Sequence, residues 1–392
     1  MIKHITLLIC CASVLAASAQ PLEVTEGKFH RSGKPYCGMG INYFNGFTRL
    51  VANPADTTHK QGLATIRSHE IPFIRTNFGG FYPTDWNLYL SDKPRYFELM
   101  DQFVNECGRL GIGIIPSLFW TAFAVPDLMK EPVAAWGDPQ SKTIAFMKTY
   151  TREVVDRYKD HPALWAWEFG NERMLCADLP EPPFTPMWTQ VRLGSPEKRV
   201  PEDAPKSSQL QTAYRLFAET VREIDPKRPI ITGDAVPRSS SLALRRHATW
   251  EPFNTIEDFR QTLIEDNPQP VNTLTLHVYG PGGAKHPGHG MPGQDFASCV
   301  KVTMQLAQQT GKPLFIGEFG PDPQSPDFAT RRSEVEAMFA EIVAARVPLS
   351  AYWNYDIANP NLTDQAPFDV TPDNQNRYIL ELIRDANQRL NR

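Results

Sequence analysis

Two glutamates carry the most telling chemistry in this sequence. Glu172 closes the stretch Trp167-Glu168-Phe169-Gly170-Asn171-Glu172, and Glu318 lies in Phe315-Ile316-Gly317-Glu318-Phe319-Gly320. At each, an apolar run gives way to a polar loop, the place where a strand hands a side chain to the mouth of a sheet or barrel. A carboxylate pair so placed suits hydrolysis of a glycosidic bond. One group, held protonated, gives its proton to the leaving oxygen, while the other, ionised, attacks the sugar or activates water. A single glutamate at a strand end is ordinarily a solvated or ion-paired residue. The pair gains weight from register, because both stand at the same end of runs that belong to one repeating architecture.

That architecture is visible in the hydropathy. Short apolar runs without polar alternation, the pattern of parallel strands covered on both faces, occur at residues 37–43, 71–76, 112–119, 163–169, 229–232, 272–279, 313–317 and 348–353. Amphipathic segments alternate with them at 58–69, 95–110, 142–158, 209–224, 256–265, 296–310, 332–345 and 376–390. Tyr96, Leu99, Met100, Phe103 and Leu110 show the helical spacing, and Gly111 and Gly311 stand as helix stops. Eight strand–helix units predict an α/β fold of the (β/α)8 TIM barrel type. A doubly wound open sheet competes for the pattern but rarely needs eight regular units. Ahead of the first unit, residues 22–29 and 35–37 flank Arg31-Ser32-Gly33-Lys34, which reads as a short N-terminal β-hairpin capping the barrel bottom. No linker or composition break divides residues 20–392, so they are read as a single catalytic domain.

Composition narrows the class. The 392 residues are 41% hydrophobic and 21% charged with a formal net charge of −4; this excludes a disordered, collagenous or disulfide-scaffold chain and leaves no basic footprint for nucleic acid or anionic lipid. Residues 1–19 run from Lys3 through an apolar stretch to Ala17-Ser18-Ala19, the order of a secretory signal peptide cleaved after Ala19. A lipid anchor on Cys10 or Cys11 competes with that reading, but neither cysteine has small residues immediately upstream. After cleavage no apolar run approaches the ~18 residues of a membrane span. The expectation is a secreted or periplasmic monomer with no membrane attachment. Cys37, Cys107, Cys176 and Cys299 match neither a disulfide framework nor a metal motif; one or two bridges and buried free thiols both stay open. His286 and His289 lack a metal spacing and read as polar loop residues, so no metal or cofactor is expected. The prolines, 35 in all, include groups in the stretches after the fourth, sixth and seventh runs. In a barrel those connections open on the face where active sites are built.

With the motifs Ala163–Glu172 (ALWAWEFGNE), His277-Val278-Tyr279, Ile316–Gly320 (IGEFG) and Ala351–Asn354 (AYWN) in this order, the chain resembles the clan A glycoside hydrolases. Within the clan it is most similar to family five, the cellulase and endo-β-mannanase family. The resemblance covers nearly all of the chain after residue 19. It implies a retaining β-glycoside hydrolase in which Glu172 is the general acid/base and Glu318 the nucleophile. It also implies that Arg75 and Tyr279 hydrogen-bond Glu318, that His277 lies beside Glu172, and that Asn171 meets the sugar 2-hydroxyl. Trp353 would be an apolar platform for the sugar. Trp120 stands between stacking platform and packing, Arg75 has Glu168 as an alternative partner, and Trp136 and Trp188 could line outer sugar positions or pack in loops. Trp165 and Trp167 read as core.

Two departures from the family pattern bear on the substrate. Residues 116–120 carry Pro-Ser-Leu-Phe-Trp where many cellulases end their third strand in histidine, and Arg173 follows Glu172 where proline is usual. Trp120 is reminiscent of the β-mannanases. The expected partner is therefore a β-glycan, with β-1,4-mannan leading. An endo-β-glucanase acting on cellulose or β-1,3-glucan and an exo-acting β-glycosidase are the alternatives, and a non-catalytic sugar-binding barrel is the rival of a different class.

Overall fold

Strands β4 (Gly38–Asn42), β5 (Phe73–Asn77), β6 (Gly113–Phe119), β7 (Trp167–Gly170), β8 (Ile230–Ile231), β9 (Leu274–Tyr279), β10 (Leu314–Gly320) and β11 (Leu349–Tyr352) follow the eight apolar runs in a computed structural model. It describes residues 21–184, 189–252, 255–280, 295–357 and 366–391. The proposed signal segment, Trp188, His286 and His289 lie outside the described residues. All eight strands are parallel to their neighbours. Their ladder runs β8-β7-β6-β5-β4-β11-β10-β9, as a (β/α)8 barrel requires.

Among the described residues no backbone ladder joins the two ends of that order, β8 and β9. Other bonds close the seam. Asn272 Oδ1 accepts from the Ile230 amide at 2.8 Å, Thr232 Oγ1 donates to Asn267 Oδ1 at 3.0 Å, and the Val236 amide donates to the His277 carbonyl at 3.2 Å.

The N-terminal sheet consists of β1 (Leu22–Thr25), β2 (Lys28–Arg31) and β3 (Lys34–Pro35), paired antiparallel. Leu22 and Phe29 join a cluster with Phe73, Ile115, Trp165, Ile231, Phe315 and Leu349, all buried. These belong to the starts of the barrel strands and the segment leading into β7, so the hairpin seals the end opposite the two glutamates. Burying two such side chains contributes about 1.5–3 kcal/mol each. Arg31 lies over the Trp165 ring, 4.5 Å from its centroid.

The helices are set by caps the sequence displays. Asp92 accepts from the Arg95 amide at the start of Lys93–Leu110, Ser141 from the Ile144 amide at Lys142–Tyr158, and Asp295 from the Ser298 amide at Phe296–Thr310. Gly111 (φ +70°) and Gly311 (φ +67°) end two of them in the left-handed conformation, which glycine adopts without steric cost. The short helices Gly46–Ala52, Asn87–Ser91, Ala124–Met129 and Ser241–His247 are additions to the sequence reading, being too short to show a 3.6-residue period. The fourth strand also starts later than expected. Leu164 makes only an isolated bridge to Ile114, and its amide turns back to the His161 carbonyl, so regular pairing begins at Trp167.

Cys37, Cys107, Cys176 and Cys299 are free thiols. No helix among the described residues is long and apolar enough to cross a membrane.

Candidate active site

Arg75 organises the mouth of the barrel. It projects from β5 with no exposed surface. Its Nε donates to both Glu168 oxygens at 2.9 Å, Nη1 to Glu318 Oε1 at 2.7 Å and Asn42 Oδ1 at 3.0 Å, and Nη2 to Asn171 Oδ1 at 2.8 Å. A buried cation persists only when paired and hydrogen-bonded, and two carboxylates flank this one. Arg75 therefore serves both partners that the sequence allows, Glu168 and Glu318. The guanidinium lies over the Trp120 ring, 4.8 Å from its centroid.

Glu318 comes from β10 and is buried. Its Oε1 takes the Arg75 bond, and its Oε2 accepts from the Tyr279 hydroxyl at 2.5 Å. Burial pushes this carboxyl up and Glu172 adds to that, while His277, Arg75 and Tyr279 pull it down. The geometry favours the anion, because the Arg75 cation and the Tyr279 hydroxyl both donate to it and each bonds the charged form more strongly than the neutral one.

Glu172 follows β7 at φ +49°, and its side chain keeps 29% exposure against 4% for Glu318. His277 Nδ1 stands 3.0 Å from Glu172 Oε1 and 3.6 Å from Glu318 Oε1. Burial pushes the imidazole down to about 3, so the ring is neutral near pH 7. One proton is then shared across the His277–Glu172 contact: the ring donates to a carboxylate, or a protonated carboxyl donates to the ring. A Cβ at Gly317 would come within 2.7 Å of His277 Nε2, so glycine at that position lets the ring sit where it does. An oxygen from each glutamate and a nitrogen of His277 lie within 4.8 Å of one another. So close an approach of one oxygen from each side is compatible with the spacing of about 5–5.5 Å between the carboxyl groups of retaining glycosidases. The same three groups could chelate a metal, but Arg75 places a fixed positive charge beside them, 2.7 Å from Glu318 Oε1.

The aromatic candidates divide. Trp353 retains 9% exposure and Trp120 only 3%, with ring centroids 6.1 Å apart at 31°. Phe44 meets Trp120 edge-on at 4.7 Å, so Trp120 is packed between Phe44 and Arg75 and backs the site more than it lines it. Trp136 is fully buried and its Nε1 donates to the Ala122 carbonyl at 2.6 Å; it packs inside and lines no outer sugar position. Trp165 and Trp167 are core, as expected. Arg173 is buried with its guanidinium 4.6 Å from the Trp136 ring centroid and 4.5 Å from that of Phe169.

Sequence reasoning overlooked Asn42. Its Oδ1 takes Arg75, and its Nδ2 donates to the Gly317 carbonyl at 2.9 Å and the Tyr352 carbonyl at 3.2 Å, linking β4 to β5, β10 and β11. An asparagine closing an otherwise apolar run was the available signal.

Comparison with known proteins agrees with this geometry. The family model described as cellulase (glycosyl hydrolase family 5) matches residues 31–359. Among solved structures, the endo-1,4-β-mannanase from Rhizomucor miehei superposes with a TM-score of 0.67 at 15% identity, covering 95% of this chain and 99% of that one. The exo-β-1,4-mannosidase from Opitutaceae bacterium strain TAV5 gives 0.61 at 17% identity, covering 93% and 62%. At such identities the likeness is one of fold. A β-galactosidase of Photobacterium profundum is 26% identical over 155 residues, which is 38% of this chain and only 12% of that protein.

Proposed function

Because the chain belongs to glycosyl hydrolase family 5 and is a glycoside hydrolase, we propose that it cleaves a β-linked polysaccharide with retention, β-1,4-mannan being the favoured substrate. The observation that carries the mechanism is the approach of one oxygen from each carboxylate to within 4.8 Å, the two side chains lying in unlike surroundings. Glu318, bonded by Arg75 and Tyr279, attacks the anomeric carbon. Glu172 gives its proton to the departing glycosidic oxygen, and a covalent glycosyl–Glu318 ester forms. Glu172, now ionised, takes a proton from water, the water oxygen attacks the anomeric carbon, and Glu318 leaves as carboxylate. Asn171, its carbonyl oxygen held by Arg75, presents its amide nitrogen to the sugar 2-hydroxyl, and Trp353 offers an apolar face.

Mannan is favoured by the mannan-active names of the similar folds. Export through residues 1–19 would bring the enzyme to a polymer outside the cell. Glu172→Ala and Glu318→Ala should each remove nearly all hydrolysis on the best polymer of a β-glycan panel, with the first product formed as the β-anomer by NMR. Full activity in either variant, or an α-anomeric first product, overturns the reading.

One observation favours exo action as a second reading. The proline-rich connection after β7 is pinned against its neighbours. Arg199 pairs with Asp127 at 2.7 and 2.8 Å and lies 5.4 and 4.8 Å from the ring centroids of Phe123 and Phe184, while Asp203 Oδ1 accepts from the Val133 amide at 3.0 Å. A wall fixed in this way can shut one end of a cleft. Product sizing separates the readings: oligosaccharides mean endo action, monosaccharide alone means exo.

A further inference from the structure

Glu172 occupies the left-handed region at φ +49°, which a residue bearing a Cβ adopts only when its surroundings hold it there. Backbone bonds from both sides do so. The Asn171 amide donates to the Trp120 carbonyl and the Glu172 amide to the Gly233 carbonyl, each at 2.9 Å. A further hold comes from a side chain. Asp234 Oδ1 accepts from the Met174 amide at 2.9 Å, in the turn Arg173–Cys176 that begins directly after Glu172.

Asp234 is itself fixed. It is 1% exposed, and its Oδ2 accepts at 2.6 Å from the hydroxyl of Tyr214, a buried residue of the helix Ser207–Arg222. The preceding Gly233 has φ +80°, and a Cβ there would fall 1.9 Å from the Gly170 carbonyl oxygen; the segment after β8 therefore lies flush against the end of β7. Two residues beyond Asp234, the Val236 amide donates to the His277 carbonyl. Residues 233–236 thus grip both partners of the Glu172–His277 contact.

We propose that Asp234 is a positioning residue for the acid/base step, holding the turn that aims Glu172 at the leaving oxygen. The inference rests on the reading of Glu172 as acid/base. Burial pushes the Asp234 carboxyl up to about 7, with Asp266 adding to the rise and Tyr214, the Met174 amide and Arg173 opposing it. The side chain is thus held at a site that disfavours its charge, as expected of a group kept for what it orients.

Acid assistance matters for a poor leaving group and little for a good one, which gives a readout that mere loss of structure does not share. The probes are the phenyl and dinitrophenyl β-glycosides of the disaccharide the wild-type enzyme hydrolyses, read as kcat/KM. Asp234→Ala should lower kcat/KM about a hundredfold on the phenyl glycoside and less than about threefold on the dinitrophenyl one. Asp234→Asn should stay within about threefold of wild type on both, since its amide oxygen still accepts from Met174 and its nitrogen can donate to Tyr214. Equal losses on the two probes in Asp234→Ala, or no loss on either, overturn the inference. If the alanine variant does not fold, Tyr214→Phe, which frees Asp234 Oδ2, must show the same leaving-group dependence in weaker form, and a flat response overturns it. Glu172→Ala run alongside separates the two claims. If that variant shows no leaving-group dependence, the acid/base reading fails and takes this inference with it; if it does and the Asp234 variants do not, only the inference fails.

Discussion

Replacing Arg75 by lysine keeps the charge and removes the fork. The guanidinium reaches Glu168 through Nε, Glu318 and Asn42 through Nη1, and Asn171 through Nη2. A lysine ammonium is a point donor and cannot stand at both carboxylates as Arg75 does. If it settles on Glu168, the anion of Glu318 loses one charge-assisted hydrogen bond, a contribution of about 1.5–3 kcal/mol. At about 1.36 kcal/mol per pKa unit, that raises the Glu318 carboxyl by about 1–2 units. The sign follows from the charge: a cation favours the ionised form, so withdrawing it favours the protonated one. The nucleophile must be ionised, and the acid limb of kcat/KM against pH should therefore move up by about 1–2 units. The alkaline limb, set by a Glu172 that Arg75 does not bond, should stay put. If the ammonium settles on Glu318 instead, Glu168 is left as an unpaired buried carboxylate, and the penalty of about 3–5 kcal/mol appears in unfolding. Measuring the pH profile and urea unfolding of the same preparation covers both cases. A folded Arg75→Lys enzyme with an unmoved acid limb and unchanged stability would refute the reasoning.

Two further outcomes follow from the same geometry. His277 is buried and held down to about 3 against an ordinary 6.5, so between these values the unfolded chain binds a proton that the folded chain does not. That contribution lowers stability as pH falls from 6.5 towards 3, by up to about 1.4 kcal/mol per pH unit. His277→Gln, which cannot take the proton, should flatten the dependence in urea unfolding across this range; parallel curves for the two proteins would contradict the assignment. Gly233→Ala should cost about 3 kcal/mol or more of stability, because its Cβ meets the Gly170 carbonyl at 1.9 Å in a left-handed residue. Gly33→Ala, also left-handed but with nothing within 4 Å, should lose only about 1 kcal/mol, and equal melting temperatures for the two variants would count against the tight β7–β8 approach.

Much of the site was legible because barrel geometry converts sequence position into spatial position. A glutamate at the end of the fourth run and another at the end of the seventh must share a face, and alternate residues His277 and Tyr279 must point the same way along one strand. Composition and periodicity do not carry lateral contacts. Nothing in the local sequence around Asn42 says that its amide will span to Arg75, Gly317 and Tyr352, or that Arg75 will divide its donors between two carboxylates. Trp136 shows the converse: in sequence a tryptophan in a connection reads equally as sugar platform or packing, and only its neighbours Arg173 and Phe169, which close over it, decide for packing. Asp234 was hidden for a plainer reason, since β8 is two residues long and the segment after it reads as loop.

The unladdered junction between β8 and β9 has a bearing on stereochemistry. Going round the sheet from the strand of Glu172 to that of Glu318, the shorter way passes through β8 and β9, and the longer through β6, β5, β4 and β11. The gap between the carboxylates, which separates retention from inversion, is therefore gauged across a joint of side chains and loop amides. The separation of Glu172 and Glu318 is thus set in part by the side-chain and loop bonds that close this junction, while the continuous ladder from β7 to β10 places Arg75 on β5 across the barrel from it.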